Sequence, residues 1–284
     1  QTPNPKPQTP NPKPHRSNEG GGVIMLDKVC ARLFGAEEET LRDETDFAFS
    51  AQPSPWAFVA SQRDARTGKA LFSFKHGTTT LAFRFREGII VAVDSRASMG
   101  SFVSSESVRK IIEVNERFVG TMAGGAADCQ YWQEMLRYQL ALYELNNGER
   151  ISVAGASQLF ANMLYQYRGY GLSIGSMIAG SDDTGTHLYY CDDEGKRVKS
   201  DRFAVGSGGT YAYGVLDSHY AFDLSVEEAV ALARRAISEA TFADSGSGGV
   251  VRVCHVFPGG WRYLVDGEDN SELVWAHRRA RNAL

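Results

Sequence analysis

Gly77-Thr78-Thr79-Thr80 is the stretch whose residue types offer the most distinctive chemistry. If the Gly77–Thr78 bond is cut, Thr78 carries a hydroxyl and a primary amine on one skeleton. An α-amine titrates near about pH 7.7–8.0, so part of it is free base at neutral pH. It can take the hydroxyl proton itself, without a histidine, in the threonine/N-terminal-amine form of nucleophile activation. The run also has a plainer reading, because threonine is β-branched and three in a row make a good strand start.

Other residues could serve such a nucleophile, and each has a structural reading beside the functional one. Asp94-Ser95-Arg96 ends an apolar strand, where a carboxylate is costly unless paired. It could form a turn-fixing ion pair with Arg96, or hold Lys110 charged and oriented. A charged lysine beside Thr78 would favour loss of the hydroxyl proton and oppose protonation of the amine. Lys110 itself lies in an alternating stretch, where a lysine is commonly just solvated. Gly124-Gly125 lies between a strand and a helix start, where free N–H groups can hold an oxyanion or simply make a turn. Gly206-Ser207-Gly208-Gly209 reads the same two ways. Asp244-Ser245-Gly246-Ser247-Gly248-Gly249 puts two hydroxyls and a carboxylate in a glycine-rich loop, which is a linker or a site. Gly171-Leu172-Ser173-Ile174-Gly175 matches the G-x-S-x-G nucleophile elbow, but that motif needs a strand before the serine and a helix after it. Here the order is reversed. The six histidines show no triad or metal spacing, so none is assigned to catalysis and no metal ligand set is expected.

The elements that must position these groups begin at Thr78. Strands are expected over Thr78 to Phe85 and Ile89 to Asp94, joined by a turn at Arg86-Glu87-Gly88. An alternating stretch, Val108 to Val114, and a strand over Phe118 to Met122 follow. The spacing of Trp132, Leu136, Leu140 and Tyr143 predicts a helix over Ala126 to Asn146, stopped by Asn147-Gly148. Ser152 can cap a second helix, with Ala156, Leu159, Phe160, Met163 and Tyr167 on one face. Strands return over Leu172 to Ala179, Leu188 to Asp192 and Arg197 to Val205. Helices are expected over Thr210 to Ser218 and Ser225 to Ala240, the latter opened by the capping box Ser225-x-x-Glu228. Strands over Val250 to Phe257 and Trp261 to Val265, then a short basic helix over Ser271 to Arg281, complete the chain. Strands, two helices, strands, two helices, strands: this order predicts an α+β, four-layer αββα sandwich of two antiparallel sheets packed face to face.

Upstream, residues 1–77 read as a leader without its own core. The first fourteen are a tandem Gln-Thr-Pro-Asn-Pro-Lys-Pro, too rich in proline for helix or sheet and expected to be extended and mobile. Residues 78–284 read as one domain. Among 284 residues, 43% are hydrophobic and 23% charged, as in ordinary globular proteins. The net charge of −4 gives no reason to expect nucleic acid or an anionic membrane as partner. No apolar run approaches the length of a membrane span. Cys30, Cys129, Cys191 and Cys254 are scattered without C-x-x-C spacing, which argues for a reducing compartment.

Taken together, the motifs resemble those of the 20S proteasome β subunits. They are Gly77-Thr78-Thr79-Thr80-Leu81-Ala82-Phe83, Val93-Asp94-Ser95-Arg96-Ala97, Gly120 to Cys129, Tyr165-Gln166-Tyr167-Arg168-Gly169, Gly206-Ser207-Gly208, Tyr211 to Asp217 and Ser247-Gly248-Gly249. The resemblance runs from Gly77 to about Val265 and is to the β5, chymotrypsin-like class. It implies an N-terminal-nucleophile hydrolase, a threonine endopeptidase made as a precursor that cleaves itself between Gly77 and Thr78. It implies Thr78 as nucleophile, Asp94 and Lys110 as its charge network, and Ser207, Asp244 and Ser247 ordering the amine and a water. Gly124 N–H would be the oxyanion donor. Ser98, Gly124 and Ala126 would pair with substrate backbone, and Ala97, Val108, Met122 and Ala126 would line a roomy apolar pocket for large hydrophobic residues. No cofactor is implied. The implied partners are the other α and β subunits of the core (two seven-membered β rings between α rings), regulatory caps reached through the α rings, and unfolded polypeptides delivered by ubiquitin-dependent degradation. The implied location is cytoplasm and nucleus. The Pro-rich repeat is not a feature of the family. A non-catalytic ring subunit is the alternative; such members typically lack the Gly-Thr junction or the lysine.

Overall fold

The structure is a computed structural model describing residues 77–99, 102–270 and, in the helix that follows, 272, 273, 275 and 279. The expected leader before Gly77, and most of the expected basic helix, lie outside the described residues.

Among the described residues, twelve strands and four helices from Thr80 to Asp269 carry the fold. Strands β1 (Thr80–Phe85), β2 (Gly88–Val93), β10 (Arg202–Val205), β11 (Val250–Phe257) and β12 (Gly260–Asp269) form one sheet in the order β10-β1-β2-β11-β12. Strands β5 (Ile111–Glu113), β6 (Phe118–Thr121), β7 (Gly175–Asp182), β8 (Gly185–Asp192) and β9 (Arg197–Lys199) form the second, in sequence order. Every pairing in both sheets is antiparallel. A small hairpin, β3 (Ala97–Met99) and β4 (Phe102–Ser105), stands apart.

The two-residue period of the strands divides the core into three slabs. In the first sheet Leu81, Phe83, Phe85, Ile90 and Ala92 face helices α3 (Gly209–His219) and α4 (Val226–Ala243). The alternate residues Ala82, Ile89, Val91 and Val93 face Val119, Met177, Ala179 and Leu188 of the second sheet. On the outer face of that sheet, Phe118, Ile178 and Tyr189 meet helices α1 (Ala126–Asn147) and α2 (Val153–Gln166). This is the αββα sandwich. It explains why β2 reads as an unbroken apolar run: both of its faces are buried. Burying each such Ile or Val contributes about 1.5–3 kcal/mol.

Local signals place the helix ends where the residues require them. Gly148 closes α1 in the left-handed region at φ 67°. Ser152 Oγ accepts from Gly155 N, and Ser225 and Glu228 form both halves of a capping box on α4. Several expectations are corrected. The first strand starts at Thr80 rather than Thr78, because Thr78 and Thr79 spend backbone groups on the loops beside them. The stretch around Lys110 is strand only from Ile111. Leu172–Ile174 precedes β7 as a loop with a single bridge, Gly124 to Ile174. Arg197 to Val205 is two strands in different sheets, and the chain crosses between sheets at Asp201, whose carbonyl accepts from Arg84 N and whose carboxylate pairs with Arg84. The β3–β4 hairpin, exposed over much of its surface, has no alternation to announce it.

Candidate active site

Thr78 sits at one end of the sandwich, where groups from both sheets converge. Asp94 follows β2, and the β1–β2 ladder continues one step past the strands through Asp94 N donating to Thr79 O, 3.0 Å. That step carries the Asp94 carboxylate to Thr79 N, 2.9 Å. Lys110 comes from the other sheet, one residue ahead of β5. Its Nζ donates to Asp94 Oδ1 at 2.7 Å and to Thr78 Oγ1 at 3.1 Å. Both side chains of the ion pair are almost fully buried, 3% exposed for Lys110 and 1% for Asp94. Asp94 Oδ2 also accepts from Gly248 N and Arg96 N.

Burial is the largest influence on both ends of this pair. It raises the Asp94 carboxyl and lowers the Lys110 ammonium, while their mutual attraction and hydrogen bonds pull the other way. The lysine is therefore a better proton acceptor than a solvated one, and it lies in contact with the Thr78 hydroxyl.

A second cluster lies on the other side of Thr78. Thr78 N donates to Ser207 Oγ at 3.1 Å, and Ser207 Oγ donates to Asp244 Oδ2 at 2.5 Å. Ser247 Oγ donates to the same Oδ2 at 2.6 Å, and Gly246 N donates to Oδ1. Partial burial opposes ionisation of Asp244, but the Ser207, Ser247 and Gly246 donors, with Lys110 nearby, hold its carboxyl below the usual range. The glycine-rich loop is thus a folded turn around its own carboxylate.

The carbonyl of the peptide bond before Thr78 lies against the Thr78 hydroxyl. Thr78 Oγ1 donates to Gly77 O at 2.6 Å, and Lys110 Nζ lies 3.5 Å from the same oxygen. Gly77 N donates to Ser98 Oγ at 3.0 Å. A Cβ on Gly77 would collide with the backbone of Gly246, so the residue before Thr78 has room for hydrogen only.

Gly124 takes a left-handed φ of 101°, and a Cβ there would strike the Ser173 carbonyl. Gly125 N donates to Ser173 O and Gly175 N to Ala123 O. These two bonds straddle the Gly124–Ile174 pair, so Gly124 N–H is turned away from Ile174. Met122 is buried, with Val108 packed on the same apolar cluster. Ala97 is half-buried at the start of β3, and Ala126 is exposed at the first residue of α1.

The five other polar residues singled out from sequence, Asp94, Lys110, Ser207, Asp244 and Ser247, therefore gather around Thr78. Three contributions escape a reading by residue type. They are the Ser98 hydroxyl on Gly77 N, the Arg96 guanidinium on Ser245 O, and the Thr79 hydroxyl, 2.7 Å from Ser247 Oγ. Thr79 is fully buried in the fold, and a buried hydroxyl needs such a partner.

Competing nucleophiles fare worse. Cys129, Cys191 and Cys254 are buried, and burial pushes each thiol up to about 12. Ser173 lies in the loop between α2 and β7, with no helix after it. Thr184, His187 and Asp182 do meet in the β7–β8 turn, but the threonine and the aspartate share one ring nitrogen, Nε2, so no relay through the imidazole exists.

A family model described as "Proteasome subunit" matches residues 74–256. The chain is 57% identical to proteasome subunit beta type-5-B of Arabidopsis thaliana over 242 residues, 84% of this chain and 86% of that one. It is 57% identical to proteasome subunit beta type-5 of Spinacia oleracea over 221 residues, covering 78% and 80% of the two chains. With proteasome subunit beta type-8 of Homo sapiens it shares 56% identity over 205 residues, 72% and 74% of the two chains. With its αββα sandwich and these similarities, the chain belongs to the proteasome subunit family.

Proposed function

We propose that the chain is a β5-type catalytic subunit of the 20S core, a threonine endopeptidase that cuts unfolded polypeptides after large hydrophobic residues. One observation carries this reading: the Thr78 hydroxyl is held between Lys110 Nζ and the carbonyl of Gly77. The presence of Gly77, Thr78 and Lys110 together disfavours a non-catalytic ring subunit.

Residues 1–77 act as a propeptide. While the Gly77–Thr78 bond is intact, Thr78 N is an amide whose lone pair is delocalised into the carbonyl, so it cannot act as base. Lys110 Nζ is in contact with both Oγ1 and the Gly77 carbonyl oxygen, so it can hand one of its protons on and take the Oγ1 proton in exchange while keeping its charge. Oγ1 attacks the Gly77 carbonyl carbon and its proton passes through Lys110 to the departing Thr78 nitrogen. The C–N bond breaks and Gly77 becomes an ester on Oγ1, which water hydrolyses. The new α-amine lies on Ser207, beside Asp244.

In the mature enzyme the amine is the proton shuttle. Oγ1 attacks a substrate carbonyl, the oxyanion is held by Gly124 N–H, and the amine protonates the leaving nitrogen. Lys110, paired with Asp94, keeps a positive charge next to Oγ1, which stabilises the alkoxide as it forms and raises the cost of protonating the amine. Water then hydrolyses the acyl ester. Ser98, Gly124 and Ala126 align the substrate backbone, and Ala97, Val108, Met122 and Ala126 receive the side chain before the cut. The subunit works within rings of other α and β subunits, in cytoplasm and nucleus.

The test uses the assembled particle and fluorogenic peptides ending in a large hydrophobic, a basic or an acidic residue. Thr78→Ala is expected to abolish cleavage after the hydrophobic residue and to leave the other two rates in place. Undiminished hydrophobic cleavage in that particle would contradict the assignment.

A further inference from the structure

We infer that Thr79 is a positioning residue for the reaction, acting through Ser247 on Asp244; this rests on the catalytic reading of Thr78. Thr79 is fully buried. Its backbone N–H donates to Asp94 Oδ1, and its hydroxyl lies 2.7 Å from Ser247 Oγ. One residue therefore touches both clusters that flank the nucleophile.

Proton counting sets the direction of this hydroxyl chain. An ionised carboxylate only accepts, and each hydroxyl has one proton to give. Ser207 and Ser247 both lie within hydrogen-bond distance of Asp244 Oδ2, so both protons are committed to it. Ser247 Oγ then has only lone pairs to offer, and Thr79 must donate to it. The chain runs from Thr79 to Ser247 to Asp244, with Ser207 entering from the other side. With Thr79 in place, the Ser247 proton has one arrangement. Without it, Ser247 can turn, and Asp244 loses a fixed donor.

The surroundings leave this hydroxyl its space. A Cβ on Gly208 would overlap Thr79 Oγ1, and Gly208 N is bound to Thr78 O at 3.2 Å. The glycine that closes the loop behind the Thr78 carbonyl is thus the one that makes room for the Thr79 hydroxyl. A methyl or a larger side chain there would push the hydroxyl off Ser247.

The consequence for chemistry has a sign. Activity needs the Thr78 amine as free base. A carboxylate with fewer fixed donors keeps more of its negative charge for a neighbouring ammonium, so the amine pKa rises. The acid limb of the rate profile then moves to higher pH, and kcat at neutral pH falls.

The experiment compares Thr79→Val, Thr79→Ser, Ser247→Ala and the Thr79→Val/Ser247→Ala double variant in assembled particles, with rates normalised to titrated active sites. Thr79→Val is expected to lower kcat about tenfold with KM within about twofold, as for loss of one buried hydrogen bond. Its acid limb shifts upward, and Thr79→Ser restores both. The double variant is no slower than Ser247→Ala, because both substitutions break one chain. A wild-type kcat and pH profile in Thr79→Val, or additive losses in the double variant, would overturn the inference. If Thr79→Val particles fail to assemble, Thr79→Cys, close in size and a weak donor, is held to the same limits. Thr78→Ala in parallel separates the two levels: an active Thr78→Ala particle sinks the catalytic reading, whereas an inactive one beside an unaffected Thr79→Val sinks only the role of Thr79.

Discussion

Asp94 and Asp244 stand on opposite sides of Thr78 and are held in opposite ways. Asp94 is fully buried, bound to an ammonium and three backbone N–H groups. Asp244 is half-exposed and bound to two hydroxyls and one N–H, with no ion-pair partner within its own loop. Burial moves the Asp94–Lys110 pair toward neutrality, whereas the donors around Asp244 hold it firmly ionised. The buried pair holds a lysine of lowered pKa against the hydroxyl. The exposed cluster orders the nitrogen without a second buried charge. The difference gives one small site two distinct groups, Lys110 at the Thr78 hydroxyl and the ordered Thr78 nitrogen, which the proposed precursor and mature reactions would use in turn.

Removing one partner of the buried pair has the largest expected effect. Lys110→Ala should lower both self-cleavage and peptide hydrolysis by about 10³-fold, within the usual range for a positioned acid–base group. It leaves Asp94 buried without its counter-charge, which costs roughly 3–5 kcal/mol of stability. Turnover with synthetic peptides and thermal unfolding of the assembled particle measure the two losses. A particle that unfolds normally and keeps more than a tenth of its activity would break the comparison.

Next in size is Gly77→Ala. The added methyl meets Gly246, next to the Asp244 turn, so self-cleavage should slow by roughly ten- to hundredfold, as for overpacking of one methyl. Once cleaved, the mature enzyme has lost residue 77 and should show wild-type kcat. A slowed mature enzyme would contradict the assigned boundary.

Asp244→Asn tests the exposed cluster. The expected loss is about tenfold in kcat, with unfolding temperature nearly unchanged, because neither a buried charge nor a core contact is removed. A stability loss as large as that of Lys110→Ala would erase the distinction between the two carboxylates.

The smallest effect is on acid stability. The folded pKa of Asp244 lies below its unfolded value, so its contribution is present above the ordinary carboxylate pKa of about 3.9 and is lost as pH falls through the folded value. Asp244→Asn should therefore flatten the stability curve slightly at the acid end and leave its slope unchanged above about pH 5. A changed slope at neutral pH would contradict this.

Much of the fold was legible because the strands and helices obey their periods. The run Gly88–Val93 and the capping box at Ser225 follow directly from residue pattern. The crossing between sheets at Asp201 was not, since Arg197 to Val205 keeps one strand-like composition while changing partners. Among site residues, Thr78, Asp94 and Asp244 stood out as polar groups at or just past strand or helix ends, whereas Lys110 lay in an alternating stretch where a lysine is commonly solvated. Thr79 did not, because a β-branched residue at a strand start needs no further explanation until its neighbours are known. Ser98 was expected to act through its backbone, and only the hairpin geometry brings its hydroxyl to Gly77 N.

The central claim is that Thr78 becomes the N-terminus, and the most direct measurement is the intact mass and N-terminal sequence of this subunit taken from its native assembly. A chain beginning at Thr78 is the predicted result, and it would free the amine beside Ser207. A mature, active assembly in which the subunit still carries Gly77 and the residues before it would contradict the account.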